Sequence, residues 1–164
     1  MASPYRWMKS KNNNIAPSAF SRPRHNTSIN NPLTGTPVFG VFPELSVPGV
    51  EFEAGPIYLR YGRHIGANSG WGLEHIWQGH FKSCLTLQEA EPKVTGLLNS
   101  IIIPGALIHY EGGLGRLEKR STVFRSSSGI VIVEQKMDGA NQVFYSVVTA
   151  FRASRVHGYV IGKL

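Results

Sequence analysis

From Ala106 onward, each strand-length apolar run is divided from the next by a short turn, and that spacing limits the folds open to the chain. Ala106 to Tyr110 gives way to the glycine-rich run Glu-Gly-Gly-Leu-Gly, followed by Leu117 to Arg125. Ser-Ser-Ser-Gly then leads into Ile130 to Gln135, and Asp138-Gly139 marks a hairpin into Gln142 to Phe151. Connections this short join antiparallel neighbours, whereas a parallel pair needs a long crossover. Ala153 to Leu164 is expected as a last strand or a docked tail.

Upstream, Ile57, Leu59 and Tyr61 alternate with Tyr58 and Arg60, which predicts a strand. Gly66 to Gly70 reads as a turn, with Asn68 or Ser69 able to cap the helix after it. Leu73, Ile76 and Trp77 fall at i, i+3 and i+4, the apolar face of a helix that Gly79 weakens or ends. A second helix is expected from about Pro92 to Ile102, facing the core through Val94, Leu97, Leu98 and Ile101. The expected class is α+β: helices first, packed on an antiparallel meander. Residues 1–50, rich in Pro, Asn, Ser and Thr, read as a linker or wrapping segment, its end tethered by Phe39, Val41, Phe42, Leu45 and Val47. Residues 51–164 read as one domain.

Composition narrows the function. No apolar run approaches the roughly 20 residues that span a bilayer, and no hydrophobic stretch comes after the first basic residues, so a Sec-type signal is not expected. Cys84 stands alone, which excludes an internal disulfide and a multi-cysteine zinc site. Seventeen basic residues against ten acidic ones leave a net charge of +7, a balance that favours polyanionic partners.

The chemistry concentrates in Gly-Leu-Glu-His-Ile-Trp-Gln-Gly-His-Phe, residues 72–81, where His75 and His80 sit five residues apart. Imidazole exchanges protons near neutral pH. A five-residue step turns about 140° on an ideal helix, so the two rings share a cleft only if Gly79 breaks the helix. The i, i+4 histidine pair of a helical zinc site is missing, and neither metal nor cofactor is expected. In Arg-Leu-Glu-Lys-Arg-Ser-Thr-Val-Phe-Arg, alternation sets Arg116, Arg120 and Thr122 on one face and Lys119, Ser121 and Arg125 on the other. Arg120 or Arg125 is the expected phosphate clamp, with Arg116 and Lys119 as further RNA contacts. Tyr145 and Thr149 are expected to share a face of the strand Asn-Gln-Val-Phe-Tyr-Ser-Val-Val-Thr-Ala-Phe, offering hydroxyls to a phosphate.

These groups suit metal-independent RNA cleavage: a base takes the 2′-OH proton, the oxygen attacks phosphorus, and an acid protonates the departing 5′-oxygen. In order, Gly-Leu-Glu-His-Ile through His80, the basic strand and Val-Val-Thr-Ala-Phe resemble the barnase–EndoU–colicin–RelE superfamily of ribonucleases over about residues 55–152. The resemblance implies His75 as general base or acid with His80 in support, and Arg120 or Arg125 with Thr149 on the scissile phosphate. EndoU enzymes proper place a second histidine after a glycine-rich turn; here His109 precedes one. The resemblance further implies a toxin domain cut from a larger secreted or cell-surface protein. It would act on tRNA or another structured RNA in a target-cell cytoplasm, held in check by an acidic immunity protein, with no membrane contact in the mature domain. Two other readings remain: a non-catalytic nucleic-acid-binding module, and an ADP-ribosyltransferase-like toxin built on Arg60 with Glu134.

Overall fold

The computed structural model describes residues 24–112 and 119–164. Six strands come before any helix: β1 (Val38–Phe42), β2 (Leu45–Val47), β3 (Val50–Phe52), β4 (Gly55–Tyr58), β5 (Arg63–Gly66) and β6 (Ser69–Trp71). Next come α1 (Gly72–Ile76), a π-helical turn (Trp77–Phe81) and α2 (Leu87–Ile101). The chain ends in β7 (Leu107–Tyr110), β8 (Arg120–Arg125), β9 (Gly129–Met137), β10 (Val143–Phe151) and β11 (Tyr159–Lys163). The protein is α+β and mostly strand, but its helices stand mid-chain and not at the N-terminal end as expected. The segment read as a linker holds β1, whose Phe39 and Phe42 are buried.

One sheet of seven strands, ordered β1-β4-β10-β9-β8-β7-β11, carries the fold. The expected meander is its β7-β8-β9-β10 portion, antiparallel throughout. The addition is β4, which runs parallel to β10 through Tyr145↔Ile57 and Ser146↔Tyr58. The whole helical segment lies between these two strands in sequence, which supplies the long crossover that a parallel pair requires.

Beyond Tyr58 the chain leaves β10, and α1 takes its place. The Leu73 amide donates to the Arg60 carbonyl at 2.9 Å and the Glu74 amide to that of Tyr61 at 2.8 Å. Two of the four N–H groups that a helix start leaves orphaned are thereby satisfied. Helix α2 begins at Leu87, five residues before the expected Pro92. Thr86 Oγ1 accepts from the Glu89 amide and Glu89 Oε2 from the Thr86 amide, a reciprocal capping box. Pro92 lies in the second turn, where its missing N–H deprives only the exposed Gln88 carbonyl.

The apolar face of α2, with Ala90, Val94, Leu98 and Ile101, packs with Leu73 and Ile76 on one side of the sheet. There it meets Val123, Val131, Val133 and Val147. Each such side chain, fully buried, contributes about 1.5–3 kcal/mol relative to exposure.

A register shift between Val147 and Thr149 places two residues of β10 against one of β9. Such a bulge inverts the alternation beyond it. Tyr145 therefore points into the core, stacked on Phe42 at 4.0 Å, while Thr149 pairs with Ile132 on the opposite face. The expectation that these two hydroxyls share a face is overturned.

Candidate active site

The face turned away from α2 carries rows of side chains fixed by strand register. Arg120, Glu134 and Ser146 align across β8, β9 and β10. Thr122, Ile132 and Thr149 form the next row, and Phe124, Ile130 and Phe151 the one after. Helix α1 borders this face along the second half of β10. With Leu73 and Ile76 committed to the core, His75 is turned toward the open side.

His75 meets a partner the spacing did not predict. The hairpin β5–β6 sets His64 opposite Gly70. A Cβ at Gly70 would stand 2.5 Å from His75 Nδ1, so only glycine leaves room for the two rings to meet. Its φ of +144° adds a second reason for glycine there. The rings lie 5.2 Å apart, and their Nδ1 atoms are 3.1 Å apart. One Nδ1 must carry the proton and the other accept it. Burial first, then the neighbouring His64, His80 and Arg120, lower the His75 pKa from 6.5. The imidazole is therefore neutral at pH 7 and able to accept a proton.

His80 reaches the same neighbourhood because the helix widens. The Lys82 amide donates to the Trp77 carbonyl at 2.8 Å, an i→i+5 bond in place of i→i+4. Five residues then make about one turn, and the His80 ring comes round to stack on Phe151 at 5.2 Å. Burial lowers its pKa from 6.5.

The two candidate arginines separate. Arg120 Nε donates to Glu134 Oε2 at 3.1 Å, on the face of the histidines and close enough to act on His75. Burial works to raise the Glu134 pKa, but Lys136, 2.7 Å away, and Arg120 outweigh it and hold the carboxyl below its usual range. Arg125 instead donates to the Ser100 carbonyl at 2.7 Å, at the C-terminal end of α2. Lys119 reaches the Glu51 carbonyl and the Phe52 ring, on the other side of the strand from Arg120. Arg116 lies outside the described residues. The Tyr145 hydroxyl donates to the Glu53 carbonyl at 2.6 Å; burial, then Glu53, raise its pKa well above 10. Of the expected set, the structure brings together His75, His80, Arg120 and Thr149. It sends Arg125, Lys119 and Tyr145 elsewhere.

Arg60 completes the face. Its guanidinium lies 4.1 Å from the Trp71 ring and 5.2 Å from that of Phe144. It donates to Ser146 Oγ at 2.9 and 3.1 Å and to Asn26 Oδ1 at 2.9 Å. Burial lowers the pKa of its guanidinium, while the Glu134 carboxylate works to raise it. Sequence reasoning misses His64 because its meaning depends on the hairpin opposite Gly70. The run Gly-Ala-Asn-Ser-Gly, which reads only as a turn, is the available signal. Among the described residues no three His, Cys, Asp or Glu side chains converge to hold a metal ion.

The arrangement supplies a neutral imidazole tied to a second, a third imidazole nearby, and cations on one side of them. Such a set can move protons and hold an anion. In comparisons with protein families, with curated proteins and with solved structures, nothing matches this chain.

Proposed function

We propose that this chain is a metal-independent endoribonuclease with a fold of the barnase–EndoU–colicin–RelE type. The observation that carries the reading is the cluster of His64, His75 and His80 beside Arg120 on the open face of the sheet. His75 takes the proton of a ribose 2′-OH at Nε2, with Nδ1 tied to His64. The 2′-oxygen bonds to phosphorus as the bond to the 5′-oxygen breaks. The protonated fraction of His80, a minority at pH 7 because burial lowers its pKa, supplies the proton that the leaving oxygen takes up. Arg120 and the Thr149 hydroxyl balance the charge on the crowded phosphorane. The products are a 2′,3′-cyclic phosphate and a 5′-hydroxyl, and DNA, lacking the 2′-OH, is inert.

A net charge of +7 suits tRNA or another structured RNA as substrate and an acidic immunity protein as inhibitor. Delivery within a secreted or cell-surface toxin, for action in a target-cell cytoplasm, belongs to the same reading. The test is incubation with total bacterial RNA in EDTA beside His75→Ala. Discrete fragments ending in cyclic phosphate, made by wild type alone, are expected. Intact RNA in both lanes, with RNA still bound, would leave a nucleic-acid-binding module.

One observation favours a second reading. Arg60, Ser146 and Glu134 line one depression of about 290 Å³, an arrangement open to an NAD-consuming transferase. Against it, the Arg60 fork is engaged by Ser146 and Asn26, and Glu134 is bridged by Arg120 and Lys136. Consumption of NAD by the folded protein would reverse the preference.

A further inference from the structure

Next to the histidine cluster lies a cleft of about 280 Å³ that the chemistry above does not use. It falls at the small end of ligand pockets and is too small for a run of nucleotides. Ile132 and Phe151 give it apolar walls, Thr122 a hydroxyl, and Arg120 and Arg155 its cationic groups. His109 lines it from β7, paired with Thr122 across the strands. Both ring nitrogens of His109 are buried and have no hydrogen-bond partner among the described residues. The ring makes an edge-to-face contact with Phe124, centroids 5.8 Å apart. Buried polar atoms are nearly always bonded, and no described residue bonds these two nitrogens, so their hydrogen-bonding capacity is open to a molecule seated in the cleft once the ring turns its edge toward it.

We propose that this cleft receives the nucleobase adjoining the scissile phosphate and that His109 reads its hydrogen-bonding edge. The inference rests on the ribonuclease reading. A neutral imidazole offers one donor and one acceptor, which can match complementary groups on a base edge. The cleft shares Phe151 with His80 and Arg120 with the environment of His75, so a base held there places its phosphate beside the histidines. The apolar walls accept the ring faces, and specificity falls to His109 and Thr122. A site built to bond a given edge rejects those that leave it unpaired.

The test is equilibrium binding of the four nucleoside 3′-monophosphates to the full chain, which needs no cleavage. Wild type is expected to bind one of them about tenfold or more tightly than the weakest, the worth of one well-made edge contact. His109→Leu, checked for an unchanged melting temperature, should bring all four to similar affinity, whereas His75→Ala should keep the preference. Thr122→Val, at the partner position, should reduce the preference too and serves if His109→Leu unfolds. Equal affinities in wild type, no saturable binding of any of the four, or a preference that survives in the folded variants would overturn the proposal. A His109-dependent preference in a chain that leaves RNA intact would keep the base site and remove the ribonuclease. RNA cleavage with no such preference would do the reverse.

Discussion

The two faces of the central sheet are built by the same strands to opposite ends. Toward α2, Val123, Val131, Val133 and Val147 close with Leu98 into a core, where the Tyr145 hydroxyl is bonded to the Glu53 carbonyl. On the other face, Arg120, Glu134 and Ser146 form a polar row, with Arg120 near enough to act on His75, and His109 keeps two buried nitrogens unbonded among the described residues. The core face is almost wholly apolar, with Ser121 Oγ a buried hydroxyl that no described residue bonds, and the open face carries the charged and imidazole groups. Stability and chemistry are thus separated by one strand thickness, and substitutions on the two sides should act on different observables.

The sharpest contrast sets His75→Ala against Leu98→Ala. Loss of a general base is expected to slow cleavage by about 10²–10⁴-fold, with little change in melting temperature. Leu98→Ala should cost about 2–5 kcal/mol in urea unfolding while leaving the turnover of the folded fraction intact. Similar losses of both activity and stability in both variants would erase the distinction between the faces.

A smaller effect separates the two arginines of β8. Arg120→Ala should reduce cleavage about 10²-fold, as removal of one oxyanion donor does. Arg125→Ala should leave cleavage unchanged and cost about 0.3–1 kcal/mol through the end of α2. Steady-state rates and thermal melts of the pair decide this.

The smallest effect is one of pH. His75 must be neutral to act as a base, and its pKa is held below 6.5, first by burial and then by His64. In wild type the acid limb of the kcat/KM profile should therefore lie below 6.5. His64→Ala removes a ring whose proximity helps lower the His75 pKa and should move that limb to higher pH. Gly70→Ala, which forces the two rings apart, should move it the same way. The unfolded chain binds more protons than the folded one between the depressed pKa and 6.5, so His75 also withdraws stability as pH falls through that window. A limb unmoved in both variants would mean that the His64–His75 contact does not tune the site.

The β8-β9-β10 part of the meander is legible in the sequence because each of its hairpins is specified by its own turn, Asp138-Gly139 joining β9 to β10. The glycine-rich turn expected between β7 and β8 lies largely outside the described residues. What depends on distant partners is not. Thr86 and Glu89 announce the start of α2, yet Pro92 draws attention to the second turn. The five-residue spacing of His75 and His80 looks wrong for a shared face until the hydrogen bonding changes to i→i+5. The bulge at β10 leaves no mark in the alternation of Val143, Tyr145 and Val147, so alternation alone puts Thr149 on the wrong side. Arg120 and Arg125 read alike as cations in a strand; only the carbonyl of Ser100 tells them apart.

The parallel seam between β4 and β10 has a kinetic consequence. Arg60 and Ser146, which bond across its end, are 86 residues apart in the chain. The hairpins of the meander form between near neighbours, and closing so long a loop adds entropy cost to an already slow class of pairing. Arg60, His64 and His75 follow β4 closely in sequence, whereas Arg120 and Thr149 belong to the meander that ends in β10. The candidate site therefore depends on this long-range closure, and a chain stalled before it carries the residues of the site without bringing them together.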